Sequence, residues 1–112
     1  MSTIFDKIIN REIPADIVFE DDQCLAFRDI NPQAPTHVLL IPKKPIPRLA
    51  DAGPTDQESL GHLLLAANDV ARHLGVEDAF RLVINNGAEV GQSVFHLHLH
   101  LLAGRSFRWP PG

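Results

Sequence analysis

The sequence predicts an α+β domain, and three observations carry that expectation. Short runs rich in branched and aromatic residues, each bounded by turn formers, read as strands. One stretch, residues 55–74, places apolar residues at helical spacing over several turns. In residues 91–102, His96, His98 and His100 alternate with Leu97, Leu99 and Leu101, the period of a strand with two unlike faces. A chain of 112 residues is expected to form one domain, 1–112, with its own core.

In chain order, Ser2 or Thr3 can cap a short helix in which Ile4, Phe5, Ile8 and Ile9 form an apolar face, and Pro14 ends it. Residues 17–20 and 24–28 read as a hairpin around the polar turn Asp21-Asp22-Gln23. Two prolines make residues 29–35 an irregular loop. Residues 36–41 form a third strand with His37 at its start and Pro42 closing it, and the basic segment 43–48 reads as a solvated connection. Thr55 with Glu58 fits a capping box for the long helix, which packs on a sheet and stops at Gly75. His62 and His73 belong to that helix's surface, since neither has a histidine or carboxylate partner at coordinating spacing. Residues 80–85 are a fourth strand, and the loop 86–91 carries glycine at both its turning points before the histidine strand begins.

Composition excludes several classes. The net charge of −4 argues against tracking a nucleic acid polymer, although one mononucleotide needs only local positive dipoles. No apolar run approaches the ~20 residues of a membrane helix, and the first residues lack the order of a signal peptide. The single cysteine, Cys24, excludes an intrachain disulfide and reads as a small buried apolar residue. A cytoplasmic protein is expected.

On a strand, the three imidazoles line one face and Phe95, Leu97, Leu99 and Leu101 the other, with histidines two apart separated by roughly 6.5–7 Å. That spacing suits three rings around one small anion or one metal ion. A neutral imidazole is a competent nucleophile toward phosphorus, and its neighbours can neutralise developing charge or move a proton. His98, with a ring on each side, is the natural nucleophile. Zinc stays open, since two histidines at i and i+2 serve as ligands, yet a straight strand hinders all three from meeting one ion at ~2.1 Å. Asp29, at a strand end, either accepts from ribose hydroxyls or caps a turn. The glycine loop can offer backbone N–H groups to a phosphate. Trp109, among Pro110 and Pro111, has no local cover and needs a partner surface, or else belongs to a frayed terminus.

The run His96-Leu97-His98-Leu99-His100-Leu101-Leu102, with Ile4-Phe5, Asp29-Ile30, Ala34-Pro35-Thr36-His37, Gly91-Gln92-Ser93 and the ending Trp109-Pro110-Pro111-Gly112, resembles the histidine triad nucleotide-binding proteins in their Hint branch. The resemblance covers essentially the whole chain. It implies an antiparallel sheet of about five strands, with one long and one short helix, continued across a homodimer. It also implies hydrolysis of purine nucleoside phosphoramidates, such as AMP–amine conjugates, through a nucleotidyl-histidine intermediate and without a metal or other cofactor. On that likeness His98 is the nucleophile, His100 and the backbone around Leu99 contact the α-phosphate, His96 supports the histidine network and His37 is an auxiliary fourth histidine. Ser93 lies beside the leaving group, and Gly91 with Gln92 supplies phosphate and leaving-group contacts. Asp29 binds ribose, while Ile30, Phe27, Leu39, Ile4, Phe5 and Ile8 wall the purine pocket. Asn85 is a polar contact on the phosphate or sugar side, and Trp109 reaches the other protomer near its site. Ala103-Gly104, where many relatives carry a double glycine, and Phe107-Arg108 before Trp109 depart from the family pattern and bear on leaving-group preference. The other function classes are a non-catalytic nucleotide- or zinc-binding interaction protein and a dinucleoside polyphosphate hydrolase.

Overall fold

A computed structural model describes residues 2–112. Thr3 caps the first helix, α1 (Ile4–Ile9): its hydroxyl accepts from the N–H groups of Phe5 and Asp6, and the Asp6 carboxylate accepts in return from the Thr3 N–H. The helix stops at Asn10, with Arg11 at φ +63°, and so ends before Pro14. Strands β1 (Ile17–Glu20) and β2 (Cys24–Arg28) form the expected hairpin, whose turn is closed by Asp21 Oδ1 accepting from the N–H groups of Gln23 and Cys24, each at 2.8 Å. Then come β3 (Thr36–Pro42), α2 (Gln57–His73), β4 (Phe80–Val83) and β5 (Leu99–Ala103). All neighbours run antiparallel, in the order β1-β2-β3-β5-β4.

Alternation along the strands builds two layers. Cys24, Ala26, Val38, Leu40, Leu99 and Leu101 face α2 and pack with its Leu63, Ala66, Ala67, Val70 and Ala71. On the other face, Leu25, Phe27, Leu39 and Ile41 pack with Phe5 and Ile8 of α1. A short helix covers only part of a sheet face, and the uncovered part carries the histidines. At the far end of β5, Gly104 (φ +95°) comes so near Pro35 that an added Cβ would sit 2.8 Å from its Cβ, which fixes glycine there.

Several expectations are corrected. β4 ends at Val83 rather than Asn85. The long helix begins after a 3₁₀ turn, Pro54–Asp56, and the Thr55–Glu58 box does not form; the Asp56 carboxylate accepts instead from the Gly53 N–H. Gly75, at φ +72°, does end the helix. His62 has a carboxylate partner after all, since its Nε2 lies 2.6 Å from Asp21 Oδ2, across the space between helix and hairpin. Phe95 is exposed rather than buried with the leucines, and the strand of 91–102 shrinks to Leu99–Ala103. Before Leu99 the chain leaves the ladder: the Leu97 N–H donates to Ile46 and the His96 ring to Pro42, in the connection after β3. Pro42 has no N–H with which to extend the pairing. The basic residues of that connection are engaged by carboxylates, Lys43 with Glu20, Lys44 with Asp56 and Arg48 with Asp51, as a solvated link would be.

Candidate active site

Between α1, the end of β2 and β5 lies a cavity of about 520 Å³. Ile4, Phe5, Ile8, Phe27, Leu39 and Ile30 line it, and Asp29, Ser93, His98 and His100 bring polar groups to it. Ile13, Pro14, Ala15, Arg28 and Val94 also line it, and sequence reasoning missed them. The signal for Val94 was its place directly after Ser93. Residues 13–15 carried none, because only the path of the chain after α1 folds them over the cavity.

The imidazoles form a directed hydrogen-bond chain. His98 Nδ1 is 2.7 Å from the His96 carbonyl oxygen, which can only accept, so Nδ1 carries the hydrogen and Nε2 keeps its lone pair. On His37, Nδ1 accepts from the Gln33 N–H at 3.0 Å, so the hydrogen of the neutral ring sits on Nε2. That Nε2 lies 2.9 Å from His100 Nδ1 and donates to it, which leaves neutral His100 with its hydrogen on Nε2. A nucleophilic nitrogen and a donor nitrogen therefore stand side by side, with ring centroids 5.1 Å apart. Phe5 stands edge-on to His98 at 5.0 Å and fixes that ring from the other side.

Burial keeps these rings neutral. It pushes His98, His37 and His100 below the ordinary imidazole value. For His100, the nearby His98 and His37 add to the effect and bring it to about 4. Neutral His98 is the form that attacks an electrophile.

Two of the expected site side chains, His96 and Gln92, lie elsewhere than anticipated. His96 is 1% exposed, donates from Nε2 to the Pro42 carbonyl at 2.7 Å and does not reach the cavity, so the third ring beside His98 and His100 is His37. The Gln92 side chain is committed to its own loop, its oxygen accepting from the Gly87 N–H and its amide donating to Pro47 and Val94. Leu99 packs on the apolar face, in the α2 core, as its place in the alternation implies. Asp29 caps a turn, its Oδ1 accepting from the Asn31 N–H at 2.8 Å, while Oδ2 lies 3.5 Å from His37 Nε2 at the cavity edge. Gly91 (φ +106°) brings its backbone near Asn85, whose amide nitrogen would lie 3.6 Å from a Cβ there. Trp109 is 83% exposed. Asp29, His37 and His100 offer one donor atom each within 4.8 Å, so they are the residues here that could hold a metal ion.

A partly covered antiparallel sheet with a neutral imidazole chain at the mouth of an apolar cavity defines a histidine-centred site for a small ligand on an α+β fold. The HIT domain family matches residues 10–107, and the chain belongs to that family. An uncharacterized HIT-like protein of Synechocystis sp. is 73% identical over 110 residues, covering 98% of this chain and 96% of its own. A 14 kDa zinc-binding protein of Zea mays is 56% identical over 112 residues, 98% and 88% of the two chains. Among solved structures, a HIT family hydrolase from Legionella pneumophila superposes with a TM-score of 0.96 at 50% identity, over 99% of this chain and 100% of that one. A histidine triad nucleotide-binding protein from Candida albicans gives 0.83 at 30% identity, over 99% and 85%. Family and fold support a nucleotide hydrolase type of function.

Proposed function

We propose that this chain hydrolyses purine nucleoside 5′-phosphoramidates, conjugates of a nucleotide such as AMP with an amine, through a nucleotidyl intermediate on His98. The observation that carries the proposal is the fixed tautomer of His98, with Nδ1–H on the His96 carbonyl and Nε2 free beside a donor. The six apolar walls accept the purine, and Asp29 Oδ2 accepts from a ribose hydroxyl. Nε2 of His98 forms a bond to the α-phosphorus as the phosphorus–amine bond breaks. Charge arising on the ring is held by the carbonyl at Nδ1, and charge on the phosphoryl oxygens by His100 Nε2–H. Ser93 stands at the leaving amine, which takes up a proton from solvent as it departs, and the water of the next step gives one back. Water then attacks phosphorus, releasing the nucleoside monophosphate and restoring His98.

The proposed assembly is a homodimer in the cytoplasm. The unpaired outer edge of β4 joins its symmetry mate, and Trp109 covers part of the partner's site. The described residues contain no helix long and apolar enough to cross a membrane.

The decisive experiment follows adenosine 5′-phosphoramidate with the wild type and with His98→Gly, alongside intact-protein mass spectrometry. The wild type should release AMP and carry a transient nucleotidyl group on the peptide containing His98. The variant should lose turnover while keeping its circular dichroism and purine nucleotide binding, and unchanged turnover refutes the proposal. The three donors Asp29, His37 and His100 favour one second reading, a zinc-binding pocket used for occupancy. If dialysis against chelator removes zinc and activity together, that reading prevails.

A further inference from the structure

We propose that Asp21, Cys24 and His62 form a second site, on the side of the sheet away from the histidine cavity, that binds a zinc-like divalent cation. The three side chains offer one oxygen, one sulfur and one nitrogen, all within 4.8 Å of one another. Zinc binds thiolate at ~2.3 Å, imidazole at ~2.0–2.1 Å and carboxylate at ~2.0–2.2 Å, so the ligand atoms of one tetrahedral ion stand roughly 3.5 Å apart. Small side-chain rotations bring the trio to that spacing.

The backbone already aims the donors. Asp21 Oδ1 is held by the N–H groups of Gln23 and Cys24, which leaves Oδ2 directed at His62, 2.6 Å from its Nε2. Cys24, first residue of β2, is 2% exposed, whereas Asp21 and His62 are half-buried, so the sulfur is walled in by the core and the other two donors face solvent. His62 also lines an open groove of about 600 Å³ on the helix surface, and a water from solvent completes the fourth position. A hydrogen bond clamping helix to hairpin explains Asp21 and His62. The Cys24 thiol, packed in the core layer under α2, donates to the same Asp21 carboxylate, so all three side chains already converge on one point.

Binding balances simply. The thiol gives its proton to solvent as the sulfur–metal bond forms, and the imidazole moves its hydrogen to Nδ1 so that the Nε2 lone pair meets the ion. A hairpin and α2 would then be joined through one ion, independently of the chemistry at His98.

The chain has one cysteine, so a sulfur-to-cobalt charge-transfer band in the near ultraviolet reports Cys24 alone, and the donors around His100 include no sulfur. The full chain is titrated with cobalt(II), then with zinc(II). The band should appear at one equivalent, vanish when zinc displaces cobalt, be lost in His62→Gln and Cys24→Ser, and persist in His98→Ala. Because Cys24→Ser alters the core, His62→Gln on the helix surface decides, with circular dichroism confirming its fold. A melting temperature raised by zinc in the wild type and unmoved in His62→Gln gives the second readout. No band, a band that survives His62→Gln, or cobalt absorption without the sulfur component overturns the proposal.

Discussion

The two faces of the sheet are built by the same alternation and serve opposite ends. Under α2, 17 residues of helix seal Val38, Leu40, Leu99 and Leu101 into a dry layer. Under α1, six residues of helix seal Leu25, Phe27, Leu39 and Ile41 and stop short of the histidines. Leu101 and His100 are neighbours on β5, one for each face. A full cover makes stability, while a partial cover leaves a cavity whose polar groups must be held by hydrogen bonds. The difference lies in helix length more than in sheet chemistry.

Exchanging a residue on each face separates these roles most sharply. His98→Ala should lower kcat on the phosphoramidate by on the order of 10⁴-fold or more, the scale of losing a nucleophile, and leave urea unfolding little changed. Leu101→Ala, at 0% exposure beneath α2, should do the reverse, costing about 2–5 kcal/mol in stability while the folded fraction retains its turnover. If Leu101→Ala lowers kcat per folded molecule as far as His98→Ala does, the two faces are not separable in this way.

His37 tests how the open face keeps its rings in place. Without the Nε2 donor of His37, neutral His100 is free to place its hydrogen on either nitrogen. His37→Ala should therefore reduce kcat on the order of 10²-fold with KM little altered. His37→Gln, whose amide N–H can still donate to His100 Nδ1, should recover part of that loss. Equal defects in the two variants would show that His37 acts by filling space.

The covered face was legible in the sequence because its forces are local and periodic. Alternation placed β1, β2 and β3 within a residue, and helical spacing with Gly75 placed the end of α2. The open face was legible in its residue types and less so in its geometry. Alternation carried His96 onto the face of His98 and His100, but backbone pairing fails at Pro42, and the chain before Leu99 turns to the connection after β3. His96 follows it into the interior. Gln92 looked like a loop residue free to meet a phosphate, yet a buried amide with three satisfied bonds is committed to its loop. His62 lacked a partner because Asp21 lies 41 residues away, and only the packing of α2 on the hairpin brings them together. The tautomers of His98 and His100 depend on a carbonyl two residues back and on a ring 63 residues distant, so no local pattern encodes them.

Acid should expose the same contrast, with a smaller effect. Burial lowers His37, His98 and His100 below the ordinary imidazole value, so the unfolded chain binds protons that the folded one refuses. The stability tied to these rings is then fully present above about pH 6.5 and is lost as pH falls toward about 4, where His100 charges in the fold. Each ring contributes at most about 1.4 kcal/mol per pH unit within that window. Urea unfolding at pH 7.5, 6 and 5 should show a decline that His100→Gln makes shallower. Leu101→Ala, which removes no titrating group, should lower all three values by the same amount and keep the slope. A wild-type stability that stays flat or rises between pH 7.5 and 5 would mean that the open face accepts charge freely, and the neutral, tautomer-fixed rings could not then be what distinguishes it from the face under α2.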